Sequence, residues 1–149
     1  MENNDITILS VRQPWAWLIL QGLKPIENRT WSTPYRGPLQ LHAGKSFDFG
    51  YAERLGQYPL TAECAKLVED HFGILPGGKI TKATDEFGAV VGKCILAAVF
   101  DPSAALRQGF SEWADPGAYH WWMTCAAPMK PVPMTGQLRL FKRKAEVPE

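Results

Sequence analysis

The chain has 149 residues, a net charge of +1 and 46% apolar residues. That size suits one domain with one core, and that apolar fraction argues against disorder. No apolar run approaches the ~20 residues that span a bilayer, and Met1 to Asp5 is polar and acidic, unlike a signal peptide, so the default expectation is a cytoplasmic protein with no membrane partner. Cys64, Cys94 and Cys125 are odd in number and widely spaced, which disfavours a disulfide framework and predicts buried or half-buried thiols.

The charge is unevenly distributed. Between Ile6 and Phe47 lie Arg12, Lys24, Arg29, Arg36 and Lys45 against one acid, Glu27; a second basic group, Arg139, Lys142, Arg143 and Lys144, lies near the C-terminus. A locally basic surface on a near-neutral chain suits a small anion site or a short nucleic-acid contact.

In chain order, Ile6 to Ser10 is short, apolar-rich and partly alternating, which predicts a first strand. Pro14 suits a helix start; Trp15, Leu18 and Ile19 recur at helical spacing before Gly22, a natural stop, so Gln13 to Gln21 is a short buried helix. Ile26 to Trp31 and Leu39 to Ala43 read as strands. Asp48 to Phe72 is acidic and helical, broken at Pro59, with Thr61 as the expected N-cap of its second piece and Gly73 as its end. Pro76 to Asp85 reads as a loop, and Gly88 to Phe100, the most hydrophobic stretch, as the central strand. Ala118 to Cys125 and Gln137 to Phe141 are the expected closing strands, separated by proline-rich Ala127 to Met134, with a charged tail fraying from about 143. Strands at irregular spacing with inserted helices exclude a doubly wound sheet and favour a mixed α/β (α+β) domain spanning 1–149. It would be a small β-barrel of about five to seven strands with two or three flanking helices.

Several chemistries find no support. Gly77-Gly78-Lys79 lacks phosphate-loop spacing, no serine sits in a G-x-S-x-G elbow, and the histidines and cysteines show no metal-ligand spacing, so neither a metal nor a cofactor is expected.

The informative stretch is Ser10 to Lys45. After Gly22 the chain turns, Lys24 sits on the connection, and alternation in the next strand puts Glu27, Arg29 and Trp31 on one face, with Lys24 at its rim. Arg29 offers a donor fork to a phosphate or base edge, Trp15 or Trp31 a stacking plane, and Lys24 a point charge. An ion cluster that merely pins the helix is the alternative, and Trp15, opening a buried stripe, reads as core. His42 lies on the polar face of the third strand. Tyr119 and Trp121 share a face opposite His120 and Trp122, with Tyr119 the candidate for a pocket wall.

Gln13-Pro14-Trp15-Ala16 together with Gly22-Leu23-Lys24-Pro25-Ile26-Glu27-Asn28-Arg29, a G-x-K-x-x-E-x-R pattern, resembles the ASCH (activating-signal-cointegrator homology) family. Tyr35-Arg36-Gly37, Gly88 to Asp101 and Pro116 to Trp121 are also similar to it, whereas Ser46 to Phe87 is not diagnostic. The resemblance implies a PUA-like barrel and a binding module for RNA, another nucleic acid, or a nucleoside or nucleotide. The expected binding residues are Arg12, Gln13, Trp15, Lys24, Glu27, Arg29, Trp31, Arg36, His42, Lys45 and Tyr119. Some small members that resemble this chain are amidohydrolases on N4-acetylcytidine, and others are described as ribonucleases. The amidohydrolase pattern uses a lysine, a threonine and a glutamate. Lys24 matches the lysine, Glu27 stands where the threonine would be, and the distant glutamate has no assigned position, because Ser46 to Phe87 does not align with the pattern. If the chain is an enzyme, Lys24 and Glu27 are the expected catalytic pair.

Overall fold

The computed structural model describes residues 5–144. Strand β1 (Asp5–Gln13) alternates, sending Leu9 and Val11 into the core and Ser10 and Arg12 to the other face. It runs longer than its apolar part because its second half pairs in parallel with β3 (Gly37–Phe47) and its first half antiparallel with β6 (Leu140–Lys144). Between β1 and β3 come helix α1 (Trp15–Leu20) and β2 (Ile26–Arg29). Helix α1 buries Ala16, Leu18, Ile19 and Leu20. It can lie close against β4 (Ala89–Phe100) because Gly92 has no side chain: a β-carbon there would sit 2.4 Å from Leu20 Cδ2 and 2.7 Å from the Ala127 carbonyl oxygen.

The sheet order is β2-β5-β4-β3-β1-β6, with β5 spanning Tyr119–Pro133. The α+β class holds, but the expected closed barrel does not: the six-stranded sheet is open. β6 pairs with β1 only as far as Leu9, and among the described residues four-residue β2 has a strand ladder with β5 alone. The outer edge of β1 from Ser10 onward therefore meets β2 through side chains, and this seam forms the site described below.

Three further expectations need correction. The prolines after Cys125 do not end a strand, since β5 continues to Pro133 along β4. β2 pairs only with Tyr119 to Trp122, so the proline-bearing half has a free edge and loses no ladder bond there. Positive φ at Cys125 and register shifts against β4 absorb the irregularity. Arg143 and Lys144 do not fray but pair with Ile6 and Asp5; residues 145–149 of the expected tail lie outside the described residues. Thr61 caps no helix: it is buried within α3 (Pro59–Ala62), and its hydroxyl donates to the carbonyls of Leu55 and Tyr58.

The acidic segment forms α2 (Tyr51–Leu55), α3 and α4 (Cys64–Phe72), which together cover the side of α1 turned away from the sheet. Cys64, Val68 and Phe72 of α4 join Leu18, Ile26 and Trp113 in a second core, and Gly73, in the left-handed region at φ 59°, ends α4. Cys64 and Cys94 are buried thiols as expected, whereas Cys125 is exposed. Among the described residues no helix is long and apolar enough to cross a membrane.

Candidate functional site

The turn that ends α1 builds the floor of the site. Gly22, at φ 75°, lets the chain double back, so that the amides of Leu23 and Lys24 both donate to the Leu18 carbonyl at 3.1 Å. Lys24 is thereby fixed beneath the helix, and its ammonium turns toward β2. Lys24 Nζ donates to the Ile26 carbonyl at 2.5 Å and to Glu27 Oε1 at 3.0 Å. Glu27 Oε2 meets Arg29 Nη2 at 2.9 Å, and the same nitrogen donates to the Ser10 carbonyl at 2.5 Å. One buried carboxylate thus holds two cations, and through Arg29 it ties β2 to the free edge of β1.

This corrects the expected rim position of Lys24, which is 5% exposed; Glu27 is 7% exposed. Alternation correctly puts Glu27 and Arg29 on one face, but a connecting turn buries a lysine when its amide is tied to the helix end. Burial pushes the Glu27 carboxyl up, and the Lys24 and Arg29 charges with their hydrogen bonds outweigh it, holding the group below its ordinary 4.5.

Above this array lies a cleft of about 570 Å³. Trp15 forms one wall, with its indole N–H donating to Asp48 Oδ2 at 3.0 Å and its ring centroid 5.9 Å from Lys24 Nζ. Expected as core, Trp15 is only half-buried because Asp48, at the end of the third strand, draws the indole to the rim. Asp48 also lies 3.7 Å from Arg12 Nη2 and accepts from the Gly50 amide, which fixes its carboxylate. The opposite wall is Asn28, Trp113, Arg54 and Asp115. Asn28 Nδ2 donates to the Trp113 carbonyl, and its Oδ1 accepts from the Asp115 amide and from His120 Nδ1. Arg54 Nε meets Asp115 Oδ1 at 3.0 Å. Two guanidinium nitrogens of cleft residues, Arg29 Nε and Arg54 Nη1, are buried without a hydrogen-bond partner among the described residues.

Of the residues singled out from sequence, Arg12, Trp15, Lys24, Glu27 and Arg29 meet in this cleft. His42 and Lys45 line a neighbouring one, where His42 is 2% exposed and bridges Ser10 Oγ and the Met134 carbonyl. Four others line neither cleft. Gln13 is fully buried, accepting from the Trp17 amide and donating to the Glu86 carbonyl, which anchors the start of α1. Trp31 lies beyond the end of β2, edge-on to Trp121 at 4.8 Å with Arg139 over its face. Arg36 turns back on the carbonyls of Thr33 and Tyr35, and Tyr119 packs half-buried against the core. Sequence reasoning missed Ser10, Asn28, Asp48, Arg54, Trp113 and Asp115. Asn28 carried a signal in being a polar residue within the matched pattern, and Ser10 opens the informative stretch; Asp48, Arg54, Trp113 and Asp115 lie outside it. Among the described residues no group of three or more His, Cys, Asp or Glu is placed to hold a metal ion.

The ASCH domain family model matches residues 9–133, which takes in the second half of β1, β2 through β5 and every residue of the cleft. The chain belongs to the ASCH domain family. That family is associated with RNA binding. Activating signal cointegrator 1 of Homo sapiens is 54% identical over 35 residues, and its Mus musculus counterpart 51% identical over 35 residues. Each aligned stretch covers 24% of this chain and 6% of the relative, so the similarity to these proteins is confined to a short segment.

Proposed function

We propose that the seam cleft of this ASCH domain binds one nucleobase, from an RNA chain or a free nucleotide, with Trp15 as the stacking wall and the Lys24–Glu27–Arg29 array reading the base edge. The observation that carries this reading is the buried array itself. A buried lysine and acid with a half-buried arginine are costly unless their geometry is used, and here they form the floor of a cleft with an aromatic wall. Stacking on an aromatic ring supplies sequence-tolerant affinity, and polar groups at the floor supply selection.

The charges in the cleft favour a base over a polyphosphate. Arg12, Lys24, Arg29 and Arg54 each face an acid, namely Asp48, Glu27, Glu27 and Asp115. The four cations share three carboxylates, so with most of its positive charge offset the cleft offers directional donors more than net positive field. The test is titration of short oligoribonucleotides and nucleosides followed by tryptophan fluorescence, with Trp15→Ala alongside. Loss of a stacking partner costs ~1–3 kcal/mol, so Trp15→Ala is expected to weaken binding about tenfold or more. Absence of binding to every nucleoside and oligonucleotide would overturn the reading.

Hydrolysis of N4-acetylcytidine is the second reading. A buried lysine beside a carboxylate suits proton transfer. The cleft's hydroxyl is Ser10, at a different place from the Glu27 that occupies the threonine position of the amidohydrolase pattern. Acetate release from N4-acetylcytidine that disappears in Lys24→Met would put this reading first.

A further inference from the structure

Ser10 borders a second cleft as well as the first. This one, of about 550 Å³, lies on the outer face of β1 and β3 and is lined by Ser10, His42, Gly44, Lys45, Gly88 and the turn after β5. Its charge is differently partnered. Every cation of the seam cleft has an acidic partner, whereas Lys45 is exposed and has neither an ion pair nor a hydrogen bond among the described residues. No acid is among the described residues that line this second cleft. The lysine stem is laid along Gly88: a β-carbon at that position, where φ is 63°, would lie 3.5 Å from Lys45 Cγ and Cε. Glycines at 44, 88 and 136 keep the floor free of side chains, so an anion can approach both the ammonium and the backbone.

The junction has a defined polarity. In the neutral imidazole the Met134 carbonyl accepts from His42 Nε2 at 2.8 Å, which leaves Nδ1 as the acceptor for the Ser10 hydroxyl at 3.0 Å. The Ser10 proton is therefore committed to His42, and its oxygen lone pairs remain to accept from a ligand. Gly136 closes over the pair, since a β-carbon there would sit 2.5 Å from His42 Cε1 and 2.8 Å from Ser10 Oγ. An acceptor between a base cleft and an unpaired lysine matches the order of groups in a nucleotide: base, sugar hydroxyl, phosphate.

We propose that the second cleft is a phosphate subsite for the nucleotide whose base occupies the seam cleft, with Lys45 meeting the phosphate and Ser10 accepting from the ribose hydroxyl. The inference rests on the base-binding reading and adds that the ligand is a phosphorylated nucleotide or a chain of them. The subsite draws on a charge that no acid among the described residues neutralises, so its contribution is electrostatic and sensitive to salt.

The experiment is calorimetric titration of the four ribonucleosides, their 3′- and 5′-monophosphates and inorganic phosphate, on the wild-type chain and on Lys45→Ala. One of the two monophosphates is expected to bind about fivefold or more tightly than its nucleoside. That ratio is expected to fall to about one in Lys45→Ala, and to shrink as salt rises. Nucleoside binding with no gain from either phosphate, or a gain that persists in Lys45→Ala, would overturn the subsite and leave the base cleft standing. Inorganic phosphate binding as tightly as the monophosphate would also overturn it, since the cleft would then be an isolated anion site. Failure of every nucleoside and nucleotide to bind would overturn both readings together.

Discussion

Replacing Lys24 by methionine removes the ammonium and keeps most of the side-chain volume, so it isolates the electrostatic role of the buried array. The wild-type ammonium makes two hydrogen bonds, at 2.5 and 3.0 Å, from a side chain with almost no contact with water. Breaking a buried ion pair by removing one partner costs ~3–5 kcal/mol when the other charge is left alone. Glu27 is not left alone, because Arg29 remains 2.9 Å from its other oxygen. Part of the loss is also returned as the desolvation of the ammonium disappears, which leaves a net cost of ~2–3 kcal/mol. In a domain of this size 1 kcal/mol moves the melting temperature by ~2–4 °C, so Lys24→Met is expected to melt ~4–12 °C lower. Thermal unfolding followed by circular dichroism at neutral pH gives the shift. The double variant Lys24→Met with Glu27→Gln is expected to be more stable than the sum of the single losses by ~1–2 kcal/mol, because it leaves no half-paired acid. A melting temperature within a degree of wild type for Lys24→Met, or strictly additive losses in the double variant, would refute the claim that the array is a coupled buried unit.

Three other outcomes follow from the same structure. Acid should destabilise the domain. Glu27 is held below its ordinary 4.5, so its contribution is complete above that value and is lost as pH falls through the folded-state value; His120, lowered by burial against an opposing effect of Asp115, contributes fully above its ordinary 6.5 and loses ground below it. Urea midpoints measured from pH 7 to pH 3 are expected to fall, and His120→Gln should flatten the part nearest pH 6. Cys94, whose thiol burial pushes up to about 12, and buried Cys64 should resist a thiol reagent in the native state while exposed Cys125 reacts, which mass spectrometry after brief labelling reads directly. Gly92→Ala is expected to cost ~1–3 kcal/mol by forcing α1 off β4, since the new methyl meets both a side chain and a backbone carbonyl; an unchanged denaturation midpoint would show that Leu20 is free to move aside.

The amino-acid sequence by itself determined most of the local elements and the charged floor of the candidate cleft. Leu9 and Val11, the stripe of α1, the stop at Gly22 and the Glu27–Arg29 alternation all follow from period and turn chemistry, which act over a few residues. The same locality explains what it did not determine. Local pattern places Lys24 at the rim because burial depends on what packs above a turn, here α1 and the seam with β1. Gln13 and Trp31 looked like site residues by type, yet one is held at the start of α1 by Trp17 and Glu86 and the other lies against Trp121 beyond the end of β2. The prolines of β5 read as a break because only pairing across the sheet reveals that their edge has no neighbour. Asp48, Arg54 and Asp115 join the cleft from segments far apart in the chain, and each neutralises or is neutralised by a partner tens of residues away. Tertiary structure alone decided that the sheet stays open, because β6 and β2 meet different halves of one edge of β1. The cleft is that opening, so its position was fixed by long-range pairing, which no local pattern encodes.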